Sequence, residues 1–210
     1  MIGSESIMEN NETSEQDLSK AVAALSAGLP VIFPTDTVYG LGVAVGMAKD
    51  PVVLYDIKER DHGKPVAWLV GNPDALTLYG RVVPEFACAI ARTFWPGPLT
   101  LVVKAGPNVP EPFRAPDDTI ALRMPDNRLA LDLIERVGFP LATTSANISG
   151  QKAPRAFADL DPVLLERVSV ALRDDSEKSG VASTVIDCTS DHPTIVREGG
   201  ISIADIRALG

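Results

Sequence analysis

The chain is poor in the residues that metal and nucleophile chemistry most often uses, with two cysteines and two histidines among 210 residues. Cys88 and Cys188 stand far apart in apolar surroundings, so buried, reduced thiols are expected in preference to a disulfide. His62 and His192 are isolated, and such a scatter is no zinc signature. Aromatics make up 5% of the chain and its formal net charge is −9. Single-strand nucleic-acid binders want basic, aromatic-rich surfaces, so a general nucleic-acid binder is disfavoured, although a local basic groove stays open. No apolar run approaches the roughly 20 residues of a membrane span, and residues 1–17 lack both the basic start and the apolar stretch of a secretory signal. A cytoplasmic chain that stays out of membranes is expected. No G-x-x-x-x-G-K-[ST] loop occurs, and Gly40, Gly42 and Gly46 are spaced G-x-G-x-x-x-G, which is not the dinucleotide fingerprint. If ATP binds, another scaffold must hold it.

What is present is enough apolar content, 45% of residues, for one well-buried core, and the chain is short for two domains. Five acids and no Lys or Arg fall within residues 1–17, leaving 19 cations against 23 acids on the rest. We therefore expect a disordered acidic leader over residues 1–16 and one domain over residues 17–210. Ser14 or Asp17 can cap a helix carrying Leu18, Val22 and Leu25, with Gly28 as its stop. Asp50-Pro51 opens a second helix that ends at Lys58. Further helices are expected over residues 73–78, 84–94 and 128–137, and after Ser202. Strands are expected over residues 31–33, 66–70, 99–103, 119–123, 141–144, 168–172, 184–187 and 194–197. Helices and strands alternate early, then strands follow one another directly, which indicates an α/β fold with a mixed sheet and packed helices.

Several polar clusters close apolar runs. Thr35, Asp36 and Thr37 follow the strand at residues 31–33; they read either as a hydroxyl-capped turn or as groups aimed at a small polar ligand. Lys58, Arg60 and Lys64 place three cations within seven residues, which suits a solvated helix end or convergent binding of phosphate. Thr143, Thr144, Ser145 and Asn147 end another strand and can donate to phosphate or carboxylate oxygens. Arg123 and Arg197 end apolar strands beside Pro125 and Gly199, facing either an anion or an internal ion pair. Trp95-Pro96-Gly97-Pro98 reads as a rigid turn with a packed ring.

Six blocks in order, namely Lys58-x-Arg60, Trp95 to Thr100, Ala121 to Pro125, Thr144 to Gly150, Ser183 to Asp187 and the Arg197 segment, resemble the YrdC family, in its short single-domain form, from about Leu18 to Ile201. The resemblance implies a twisted α/β sheet around a concave groove. It also implies synthesis of threonylcarbamoyl-adenylate from L-threonine, bicarbonate and ATP, with Mg²⁺ accompanying the nucleotide and pyrophosphate released. The product would feed a downstream transferase complex that modifies tRNA. By the same likeness Thr35, Arg123, Thr143 and Ser183 hold threonine, while Arg60, Lys64, Thr119, Ser145, Asn147 and Arg197 hold the nucleotide. Lys58 and Arg60 are the implied catalytic cations, and Lys58 and Asn147 would face the reacting phosphates. The pattern departs from the family at Leu69, Ala153 and Arg155. Weak RNA contact follows from the family's charged groove, and an RNA-binding or ribosome-maturation module on the same fold is the alternative.

Overall fold

The computed structural model describes residues 13–62 and 65–208. Helix α1, Glu15–Ser26, is capped by Ser14, whose hydroxyl accepts from the Asp17 amide at 3.2 Å. Its start brings Thr13 to Gln16 of the expected leader onto the domain: the Thr13 amide donates to the Arg173 carbonyl at 3.1 Å and Glu15 pairs with Arg136. The earlier stretch of the leader, residues 1–12, lies outside the described residues. Strand β1, Val31–Phe33, and strand β2, Gly40–Ala44, form an antiparallel hairpin. The second of these is absent from the sequence expectation, because Gly40 and Gly42 read as loop residues. They are glycines for close packing: a Cβ on Gly42 would sit 2.9 Å from Thr143 Oγ1 and 3.0 Å from the Phe33 ring.

Helix α2, Val52–Lys58, starts where Asp50 accepts from the Val52 amide, and it ends as Glu59 turns left-handed at φ 52. Strand β3 (Ala67–Leu69), helix α3 (Ala75–Tyr79), helix α4 (Glu85–Phe94), strand β4 (Leu99–Lys104) and strand β5 (Thr119–Arg123) follow near their expected places. Helix α5, Arg128–Val137, runs from its Asn127 cap to Gly138 at φ 75. Strand β6, Leu141–Ser145, then leads to helix α6, Pro162–Glu166, a single turn capped by Asp161 in a stretch too rich in proline and charge to show helical periodicity. Strands β7 (Val170–Ala171), β8 (Thr184–Asp187) and β9 (Thr194–Arg197), and helix α7 (Ile203–Arg207), complete the order.

Among the described residues the strands form one mixed sheet, ordered β7-β1-β2-β6-β3-β5-β4-β8-β9. Alternation divides its side chains between two faces. Leu41, Val43, Trp68, Leu101 and Leu122 pack under α2, α3, α4, α6 and α7 in the larger core. Val31, Phe33, Leu69 and Leu141 face α1 and α5 in a smaller one. No residue of β4, β5, β8 or β9 belongs to that second core, so α1 and α5 cover only part of their face and the rest of the sheet forms an open wall. The candidate site lies where the covered and open parts meet.

Candidate active site

A cavity of about 350 Å³ opens at the carboxyl ends of β1 and β6, floored by Ala67 and Leu69 of β3 and by Arg123 at the end of β5. The turn after β1 is tightly tied. The Thr35 hydroxyl donates to the Val38 carbonyl at 2.6 Å and lies 3.1 Å from the Thr37 hydroxyl, and both side chains are buried. Arg123 lines the cavity and forms the internal ion pair that is one of its two sequence alternatives, with Asp36 at 2.5 Å. Its other donors reach Thr37 Oγ1 at 3.0 Å and the Gly97 carbonyl at 3.1 Å. Burial pulls the Arg123 pKa below its ordinary value, and the Asp36 carboxylate opposes that shift. Gly97 is presented by the Trp-Pro-Gly-Pro turn, in which the indole of Trp95 donates to Leu99 O at 2.8 Å.

On one flank the Ser183 hydroxyl lies 2.9 Å from that of Thr100, and Arg197 donates to Ser183 O at 2.8 Å. On the other flank Arg60 donates to Thr144 Oγ1 at 2.7 Å and to Pro65 O at 3.3 Å. Thr143 and Ser145 line the cavity beside it. The structure thus brings together Thr35, Arg60, Arg123, Thr143, Ser145, Ser183 and Arg197, seven of the expected residues, around one space.

Three expected residues stand elsewhere. Lys58 and Asn147 do not line the cavity and brace its wall instead. The buried Lys58 ammonium donates to the carbonyls of Ser145 and Asn147 and to Asn147 Oδ1 at 3.2 Å. The Asn147 amide group is spent on Ile148 O and Gln151 O. Both residues therefore face the Ser-Ala-Asn turn and not the space in front of it. Thr119 sits at the far end of β5, its hydroxyl donating to Asp117 at 2.7 Å; four residue steps along the strand, about 13 Å, carry the chain from it to Arg123. Lys64 lies outside the described residues.

Thr100 is one cavity residue that the motif reading missed, because the turn ahead of it looked purely architectural. The alternation Leu99-Thr100-Leu101 held the signal, since leucines committed to the core force the threonine to the opposite face. Leu69 and Ala153, two positions expected to depart from the family pattern, also line the cavity.

Burial, reinforced by the nearby Arg60 charge, pulls the Lys58 pKa from 10.5 down to about 8. Protonation is then costlier in the folded chain than in the unfolded one, so this group makes stability rise with pH between about 8 and 10.5. Its charge also adds to the positive field behind Ser145. We expect inorganic pyrophosphate to bind more weakly as pH rises through about 8, and Lys58→Met to remove that dependence. A pH profile of the wild type that stays flat to pH 10 would leave Lys58 with the turn-bracing role alone.

A cavity rimmed by Arg60, Arg123 and Arg197 and by several hydroxyls, with no Cys or His in its lining, is equipped to hold anions and align them. Comparisons with known proteins agree with that chemistry. A threonylcarbamoyl-AMP synthase of Bacillus subtilis is 33% identical over 97% of this chain and 59% of its own length. The crystal structure of Pyrococcus abyssi Sua5 complexed with L-threonine superposes with a TM-score of 0.85 at 33% identity, covering 93% of this chain and 58% of that one. The chain thus spans just under three fifths of these relatives. Escherichia coli YciO, at 24% identity and a TM-score of 0.79, shares the fold over 92% of this chain. The Sua5/YciO/YrdC family model, described as telomere recombination, matches residues 23–199. With that match running from α1 to the end of β9, the chain belongs to the Sua5/YciO/YrdC family.

Proposed function

We propose that this protein makes L-threonylcarbamoyl-adenylate from L-threonine, bicarbonate and ATP, as a nucleotidyltransferase that releases pyrophosphate. The observation that carries the reading is the division of one cavity into two chemistries. Thr35, Thr143, Ser183 and Arg123 offer hydroxyls and a guanidinium matched to a small hydroxy-amino acid. Arg60, Thr144 and Ser145 on one flank and Arg197 on the other suit phosphate oxygens. The threonine amine adds to carbon dioxide derived from bicarbonate and loses a proton, giving a carbamate. A carbamate oxygen then bonds to the α-phosphorus as the bond to the pyrophosphate oxygen breaks. Such a step needs alignment and charge neutralisation, not a protein nucleophile.

Mg²⁺ fits as a companion of the nucleotide. The nearby carboxylate of Asp36 is committed to Arg123, so phosphate oxygens would hold the ion, which supplies further charge neutralisation. The product is a mixed anhydride and would pass to a transferase acting on tRNA.

Pyrophosphate release from ATP by the purified protein should require threonine and bicarbonate together. Serine lacks only the methyl group and should react roughly 10- to 200-fold less efficiently, with glycine weaker still. Equal release with no amino acid present would overturn the proposal.

A further inference from the structure

The segment Arg173 to Ala182 runs over the surface between β7 and β8, and Lys178 is its only buried residue, 1% exposed. A lysine sealed from water amid exposed neighbours needs a reason, since its ammonium must find partners inside. It finds them all locally. Nζ donates to Ser176 O at 2.9 Å, Asp174 Oδ2 at 3.2 Å and Asp174 O at 3.3 Å, and lies 4.9 Å from the centre of the Tyr39 ring. The Tyr39 hydroxyl closes the knot by donating to Asp174 O and accepting from its amide, each at 3.0 Å. From outside, Arg155 donates to the Lys178 carbonyl at 2.8 and 3.1 Å.

The next two residues reach the cavity. The Ser179 amide donates to Asp36 O at 3.1 Å and the Gly180 amide to Thr37 O at 2.9 Å, which ties this strap to the turn that carries Thr35. Gly180 sits at φ +69, a left-handed turn that glycine adopts without steric cost. Gly180, Ala182 and Ser183 then line the cavity. Lys178 itself is absent from the lining, and its ammonium is turned into the knot.

We infer that Lys178 is a positioning residue: the pin that fixes the strap, and through it Gly180 and Ser183, at the amino-acid end of the cavity. This rests on the function proposed above for the identity of the ligand. Its specific consequence is a split in the kinetics, because the strap's bonds to the cavity go to Asp36 and Thr37 in the turn that carries Thr35, while Arg197 reaches Ser183 beyond the strap and Arg60 holds the opposite flank.

Lys178→Met keeps the buried volume and removes the ammonium. It should raise KM for threonine about tenfold, the scale of one lost 1.4 kcal/mol interaction, while KM for ATP stays within about twofold. Asp174→Asn, a milder cut in the same knot, should shift threonine KM in the same direction by less. Combined with Lys178→Met it should add little, because the two groups act as a unit. In both variants the amides of Ser179 and Gly180 should exchange hydrogen about tenfold faster than in the wild type, with exchange in β2 and β6 unchanged. Unchanged exchange at these amides would overturn the pin whatever the substrate proves to be. A lowered melting temperature with both KM values intact would also overturn it, reducing Lys178 to a stability role. A wild type that forms no threonine-dependent adenylate would instead refute the proposed function, and the exchange measurement would still decide the pin.

Discussion

Replacing Arg60 with alanine should lower kcat/KM for ATP roughly 30- to 1,000-fold, a loss of about 2 to 4 kcal/mol of transition-state stabilisation, while the chain keeps its fold. The guanidinium is half-buried at the cavity wall and is held by Thr144 and Pro65. Those two bonds use one N–H each on Nη1 and Nη2 and leave other donors of the planar fork for phosphate oxygens. Glu59, left-handed just ahead of it, turns the chain out of α2 and so aims Arg60 at the cavity. Arg60→Lys should recover little, since an ammonium cannot hold Thr144 and bridge two oxygens in one plane. Steady-state kinetics with ATP varied at saturating threonine and bicarbonate decide the matter, and wild-type rates in Arg60→Ala would return this cation to the solvated surface.

Removing Arg123 should be felt first in stability. Its side chain and that of Asp36 are 8% and 15% exposed, and stripping one partner from a buried pair costs about 3 to 5 kcal/mol because the other charge is left unanswered. At roughly 2 to 4 °C per kcal/mol for a chain of this size, Arg123→Ala should melt about 10 °C lower. The double replacement Arg123→Leu with Asp36→Leu removes both charges and should regain most of that loss. It should still need far more threonine than the wild type, with the ATP requirement little changed. Thermal denaturation and threonine titration of the pair separate the two roles. Recovery of both stability and threonine affinity in the double variant would leave Arg123 purely structural.

The sequence made most of this site legible because its polar residues close apolar strands, and strand ends are where a sheet presents side chains to a groove. Thr35, Arg123, Thr143, Ser145 and Ser183 could be found that way. Lys58 and Asn147 could not be separated from them, since a motif records which residues recur together and not which side of a turn each faces. The hairpin strand Gly40–Ala44 was hidden by glycines that serve packing against Phe33 and Thr143. Helix α6 is a single turn in a stretch crowded with proline and charge, which hides any apolar period. Lys178 looked like one more charge in a polar stretch, because its burial depends on Tyr39 and Asp174 closing around it.

The strand order has a consequence for how the chain is made. Gly42 of β2 pairs with Thr143 of β6, and Val31 of β1 pairs with Val170 of β7. At about 5 to 20 residues per second of synthesis, the open edge of the first hairpin waits roughly 5 to 20 seconds for β6 and longer for β7. Until then the nascent chain carries unpaired amides and carbonyls along apolar strands, the condition that invites pairing with a wrong partner. Cavity residues extend from Thr35 to Arg197, so no ribosome-bound fragment that stops short of β9 contains the whole site. Ligand-assisted folding can therefore act only after nearly the entire domain has been synthesised.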